Sequence, residues 1–120
     1  MAEWRIAGPA EAQLARILAD SAEGWGPAGR DRYAALLLAA MQDVADDPAR
    51  PGSTLIDDRL RIYHSRHSRR HVVKSAGRVR RPRQVLVYEV AADGIVNILG
   101  LFYDGIPTEL MARRTIEPLR

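Results

Sequence analysis

Gln84-Val85-Leu86-Val87-Tyr88-Glu89-Val90, then Ala91-Ala92-Asp93-Gly94, then Ile95-Val96-Asn97-Ile98-Leu99-Gly100-Leu101-Phe102-Tyr103, is the stretch on which the fold turns. Its two flanks are rich in β-branched and aromatic residues, which fit a pleated surface, and Asp-Gly is a common two-residue signal for a tight reversal between strands. The stretch predicts an antiparallel hairpin, and the remaining elements have to find cover on it.

Upstream, Arg59-Leu60-Arg61-Ile62-Tyr63-His64 alternates with period 2. Leu60 and Ile62 fall on one face and Arg61 and Tyr63 on the other, which predicts a third strand with one dry and one wet side. Earlier still the period is 3.6. Ala10, Leu14, Ile17, Leu18 and Ser21 form one stripe, and Tyr33, Leu37, Ala40, Met41 and Val44, widened by Leu36, form a second. Gly8-Pro9 opens the first helix, because proline lacks only an N–H that would have no partner in the first turn. Gly24-Trp25-Gly26-Pro27-Ala28-Gly29 reads as the turn of a helical hairpin, since glycine and proline both disfavour helix. The second helix is expected over Arg30 to Asp46.

A short strand at Glu3 to Ile6 precedes the hairpin, and the prolines of Asp46 to Ser53 make a loop after it. His71 to Pro82, with Ser75-Ala76-Gly77, reads as an arginine-rich loop or a loosened hairpin connection. After a turn at Asp104-Gly105-Ile106-Pro107, Thr108 to Arg114 is expected as a short helix or a tail. The expected fold is α+β: one domain over residues 1–120, with an N-terminal strand and a helical hairpin packed on a C-terminal antiparallel sheet.

With no cysteine, neither disulfides nor thiolate metal sites are available, and apolar packing has to carry the stability. No apolar run approaches a membrane span and the start Met-Ala-Glu-Trp-Arg has no signal-peptide pattern, so a cytoplasmic location is expected. The net charge of +3 conceals a strong asymmetry. Between Arg59 and Tyr88 there is no Asp or Glu, while ten of the eighteen Lys and Arg residues fall there. That segment carries +10. The rest holds the other eight basic and all fifteen acidic groups, so it carries −7. Such polarity within one domain marks a face for an anionic partner, or else a solvated loop in an arginine-biased sequence, since Lys74 is the single lysine.

His64, His67 and His71 suggest a metal site only superficially, because a zinc site needs three or four converging ligands and Arg66, Arg69 and Arg70 would repel the cation. No metal and no cofactor is expected. The pairs Asp46-Asp47 and Asp57-Asp58 lie in turns, where aspartates satisfy local backbone donors, so they point away from acid–base work. No phosphate-binding glycine loop and no nucleophile elbow is present. Trp4 and Trp25 read as core or staple residues, with an exposed turn tryptophan as a partner anchor the alternative. Tyr88 and Tyr103 fit either a core edge or a stacking surface beside Arg81 and Arg83.

The runs Leu60-Arg61-Ile62-Tyr63-His64-Ser65-Arg66-His67-Ser68-Arg69, Val79-Arg80-Arg81-Pro82-Arg83-Gln84-Val85-Leu86-Val87-Tyr88-Glu89-Val90 and Ile95-Val96-Asn97-Ile98-Leu99 resemble ParE-type toxins of the RelE/ParE superfamily. So does the order of elements over nearly the whole chain. The resemblance implies the toxin of a bacterial type II toxin–antitoxin pair, acting in plasmid or chromosome stabilisation. ParE-type members poison DNA gyrase, whereas RelE-type relatives are ribosome-dependent endoribonucleases that cut messenger RNA. Members usually carry an arginine near the end of the last strand with a histidine soon after; this chain departs with Gly100 and then Phe102-Tyr103-Asp104.

On this resemblance the chain is expected to be a non-enzymatic gyrase inhibitor, with Arg81, Arg83, Tyr88, Arg66 and Arg69 meeting the target. A cognate, ParD-like antitoxin would cover Leu14, Leu18, Leu37, Met41 and Trp25 in a hetero-oligomer. The alternative is an endoribonuclease, in which Lys74, Arg81 or Arg83 stabilises the phosphorane-like transition state and Tyr103 or His64 moves the proton. A basic nucleic-acid-binding module without toxicity is the third reading.

Overall fold

A computed structural model of the chain describes residues 2–72 and 77–116. Its five-stranded sheet has the order β1-β5-β4-β3-β2, built from β1 (Trp4–Ile6), β2 (Ser53–Leu55), β3 (Arg61–His64), β4 (Gln84–Val90) and β5 (Val96–Tyr103). β1 runs parallel to β5 and every other neighbouring pair is antiparallel. α1 (Gly8–Asp46) covers one face, and α2 (Thr108–Ile116) packs on the other. The α+β class is therefore as expected, with a five-stranded mixed sheet in place of a three-stranded one.

The β4–β5 hairpin forms where the sequence placed it. Gly94 takes φ +84°, and Asp93 Oδ1 accepts the Ile95 N–H at 3.0 Å, so the turn residues perform the reversal expected of them. One irregularity decides which side chains face which layer. Val87 pairs with Gly100 but Tyr88 pairs with Ile98, leaving Leu99 as an extra residue in β5. The bulge shifts the alternation by one. Ile98 and Leu101 consequently both face α1, while Leu99 and Phe102 face α2.

As a straight helix, α1 would be about 58 Å long. The whole molecule extends only 38 Å in its longest direction. The helix is broken at Gly26, whose φ of 71° and ψ of −175° suit glycine alone. Pro27 then opens the second arm, where its missing N–H costs nothing. The expected six-residue turn from Gly24 to Gly29 is thus corrected to a single residue, with helix on both sides. Gly29 is buried against Trp25, and a Cβ there would collide with the Trp25 side chain. Trp25 itself is 69% exposed, so the core or staple reading of this residue is corrected too.

Both arms reach one core, which joins Ala10 and Ile17 to Leu37, Ala40, Met41 and Val44 over Tyr63, Leu86, Tyr88 and Ile98. The wet side expected for β3 is therefore covered. Tyr63 has no exposed surface, and its hydroxyl lies 2.8 Å from Ser68 Oγ. On the opposite face Leu60, Val85, Val87, Leu99 and Phe102 meet Met111 of α2. β2 falls within and just after the stretch read as a loop; three residues give no period to detect.

Candidate functional site

The acid-free segment is built on β3 and a 3₁₀ segment, Ser65–His71, that follows it directly. His64 caps this segment, with Nδ1 accepting the Arg66 N–H at 3.1 Å. Because Nδ1 accepts, the ring proton lies on Nε2, which donates to Asp104 Oδ2 at 3.0 Å. Both nitrogens of His64 are thereby engaged in the fold, which removes it as a free proton carrier. Asp104 is held below the usual carboxylate range, first by the His64 hydrogen bond and then by Arg83.

The same segment is tied to the second arm of α1 through Asp43. Ser68 Oγ and His71 Nδ1 both donate to Asp43 Oδ2, the latter at 2.6 Å, and Arg50 Nη1 approaches Oδ1 at 3.2 Å. Tyr63 donates to Ser68 in turn, so a hydrogen-bonded chain runs from the core to the surface. The Arg50 guanidinium also lies over the Tyr63 ring at 5.5 Å. Nothing local in the sequence marks Asp43, which is one acid on a helix; its partners arrive from residues 50 to 71. His71 is half-exposed and Asp43 is mostly buried, an arrangement that fixes the imidazole with Nδ1–H inward.

The proposed target-binding and catalytic residues do not share one cluster. Arg66 and Arg81 are exposed, and Arg69 is half-buried with its Nε lacking a partner among the described residues. Arg83 is exposed and lies 3.4 Å from Asp104. Tyr103, 41% exposed, ends β5, and burial together with Asp20 raises its hydroxyl pKa. Tyr88 has no exposed surface: its hydroxyl donates to the Pro48 carbonyl at 2.6 Å and contacts Ser53 Oγ, so its ring is a core element and offers no stacking face. Lys74 lies outside the described residues.

The residues proposed for the antitoxin divide as well. Leu37 and Met41 of α1 are buried against the sheet and present nothing to a partner. Leu14 and Leu18 instead line an open groove of about 430 Å³ with Ala15 and Ala19, bordered by Glu11 and Arg30. Trp25 stands out from the tip of the hairpin. A second groove, about 400 Å³, lies between α2 and the β2–β3 side of the sheet.

Asp57 behaves as a turn aspartate should. It accepts the Arg59 and Leu60 backbone N–H groups, which lower its pKa. Among the described residues no three His, Asp or Glu side chains converge as a metal site would require, and no helix is long and apolar enough to cross a membrane. No protein-family model matches this chain, and no curated protein does.

Proposed function

We propose that this chain is the toxin component of a bacterial type II toxin–antitoxin pair, inhibiting DNA gyrase by direct binding and neutralised by a cognate antitoxin. Beyond the resemblance, the observation that carries the reading is the state of the acid-free segment. Arg66, Arg70, Arg78, Arg80 and Arg81 are exposed, and among the described residues none of them forms an ion pair with an acid. Unneutralised surface arginines suit recognition of an anionic partner surface. Among the described residues the Arg81 and Tyr103 side chains form no hydrogen bond, and the carboxylate beside Arg83, Asp104, is already taken up by His64, which favours binding over chemistry. The antitoxin occupies the groove of Leu14 and Leu18, where an amphipathic segment finds an apolar strip with a carboxylate and a guanidinium at its border.

One observation favours the endoribonuclease alternative. Asp43 orients His71 as an aspartate orients a general-base histidine, leaving Nε2 without a partner among the described residues. The two readings separate in paired assays of the purified chain. Gyrase inhibition predicts loss of supercoiling in a reaction holding only gyrase, DNA and ATP. Position-specific messenger cleavage on programmed ribosomes, with supercoiling untouched, would refute the inhibitor and select the nuclease.

A further inference from the structure

The groove between α2 and the β2–β3 side of the sheet is floored by Ile62, Val85 and Met111. Val85 and Met111 are only 6% and 3% exposed, so the wall an incoming molecule would meet is chiefly the polar rim. That rim comprises Thr54, His64, Arg66, His67, Asp104 and Thr108. We infer that this groove binds a phosphate dianion, either free or as the terminal monoester of a small metabolite.

Residues that can donate line it from three elements. Arg66 supplies a guanidinium and His67 an imidazole from the 3₁₀ segment, Thr54 a hydroxyl from β2, and Thr108 a hydroxyl from the first position of α2. The first backbone bonds of α2 run from Leu110 and Met111 to the Pro107 carbonyl. The N–H groups of Thr108 and Glu109 have no acceptor among the described residues, and they carry the positive end of the helix dipole. Asp104 is the one acid on the wall. Its carboxylate already receives His64 Nε2–H and lies beside Arg83, so its charge is largely offset before any ligand arrives.

The His67 ring is placed by backbone. Gly52 has φ +97°, and a Cβ there would lie 2.6 Å from His67 Cδ2, so only glycine lets the imidazole rest against this wall. The groups around the ring are Arg66 and His64 from its own stretch of chain, Arg50 from the loop after α1, and the neutral Tyr63 ring of β3 at 5.5 Å. Across the groove stand Asp104 and the uncharged Thr108. Partial desolvation first, and then the positive field of Arg66 and Arg50, lower the His67 pKa below its ordinary value. The field that disfavours an imidazolium favours an anion, and a bound anion would reverse its effect on His67.

The test titrates the full chain with sulfate, inorganic phosphate, adenosine 5′-monophosphate and adenosine, followed by NMR. Sulfate serves as a tetrahedral dianion whose charge stays constant between about pH 5 and pH 8. The expected result is saturable binding of the three anions, with shifts at the Thr108 and Glu109 amides and none from adenosine. Tighter binding of the monophosphate than of phosphate identifies the monoester as ligand; equal binding identifies free phosphate. With sulfate bound, His67 titrates at higher pH than in the free chain, so sulfate affinity rises as pH falls. Arg66→Ala weakens sulfate binding about tenfold, the loss of one charge-assisted hydrogen bond. Arg80→Ala, on the same basic segment but not in the groove wall, leaves it unchanged. Equal weakening by both variants, an unmoved His67, or adenosine binding as well as its monophosphate overturns the inference.

Discussion

Gly100 of β5 lies flush against the ring of Phe102, two residues further along the same strand. A Cβ on Gly100 would stand 2.6 Å from Phe102 Cε2 and 3.0 Å from Thr115 Oγ1 of α2. Phe102 is 5% exposed and enclosed by the α2 layer, so the ring has little room to yield. Gly100→Ala should therefore destabilise the chain by about 1–3 kcal/mol through overpacking. Urea denaturation should show a lower midpoint with an unchanged slope. An alanine variant as stable as the parent would mean that the bulge and α2 do not meet in this way.

Two neighbouring leucines give a sharp test of helix phase. Leu37 is 1% exposed in the core shared by both arms, and Leu38 is 54% exposed. Leu37→Ala should cost about 2–5 kcal/mol, the range for a buried leucine that leaves a cavity. Leu38→Ala should stay within about 0.5 kcal/mol. Similar losses at both positions, measured by thermal and urea unfolding, would contradict the packing of the second arm.

The β4–β5 hairpin and both helical stripes were legible because each is long enough to show its period and ends in residues with a definite backbone preference. Tyr63 was misread for a physical reason: alternation reveals two faces of a strand, but not that a helix covers both. Its polar hydroxyl suggested water, whereas Ser68 and Asp43 supply its hydrogen bonds inside the fold. The six-residue turn was overdrawn because propensity spreads over Gly24, Gly26, Pro27 and Gly29, while within that stretch only Gly26 takes positive φ. Asp43 was invisible as a hub since its partners lie 7 to 28 residues away.

Acid should weaken the fold partly through Asp57. Two backbone donors, Leu60 and Arg59, lower its folded pKa below the unfolded value, so the folded state binds fewer protons as the pH falls. The resulting stabilisation is full above the unfolded pKa and is lost as pH drops through the folded pKa. Asp57→Ala should be less stable than the parent near pH 7, and the gap should narrow below about pH 4 as the parent carboxylate becomes protonated. A gap independent of pH, from urea curves across that range, would remove Asp57 as a source of acid sensitivity.

On the proposed toxin reading, residues of the helical hairpin act in two different ways, and substitution can tell them apart. Met41 has no exposed surface and touches the shared core, so Met41→Glu should unfold the chain and abolish antitoxin binding only as a consequence. Leu18 is partly buried on the wall of the open groove, where a glutamate can point its charge to water. Leu18→Glu should keep the thermal midpoint within a few degrees while weakening capture of the antitoxin at least about tenfold, as loss of an apolar anchor at an interface does. Trp25→Ala should behave like Leu18→Glu, because the indole is 69% exposed and contributes little to the core. The measurements are thermal unfolding of the free chain, and size exclusion with light scattering after co-expression with the protein encoded in the adjoining reading frame. Unimpaired complex formation by both Leu18→Glu and Trp25→Ala, with the fold intact, would move the antitoxin off the hairpin groove and onto another face.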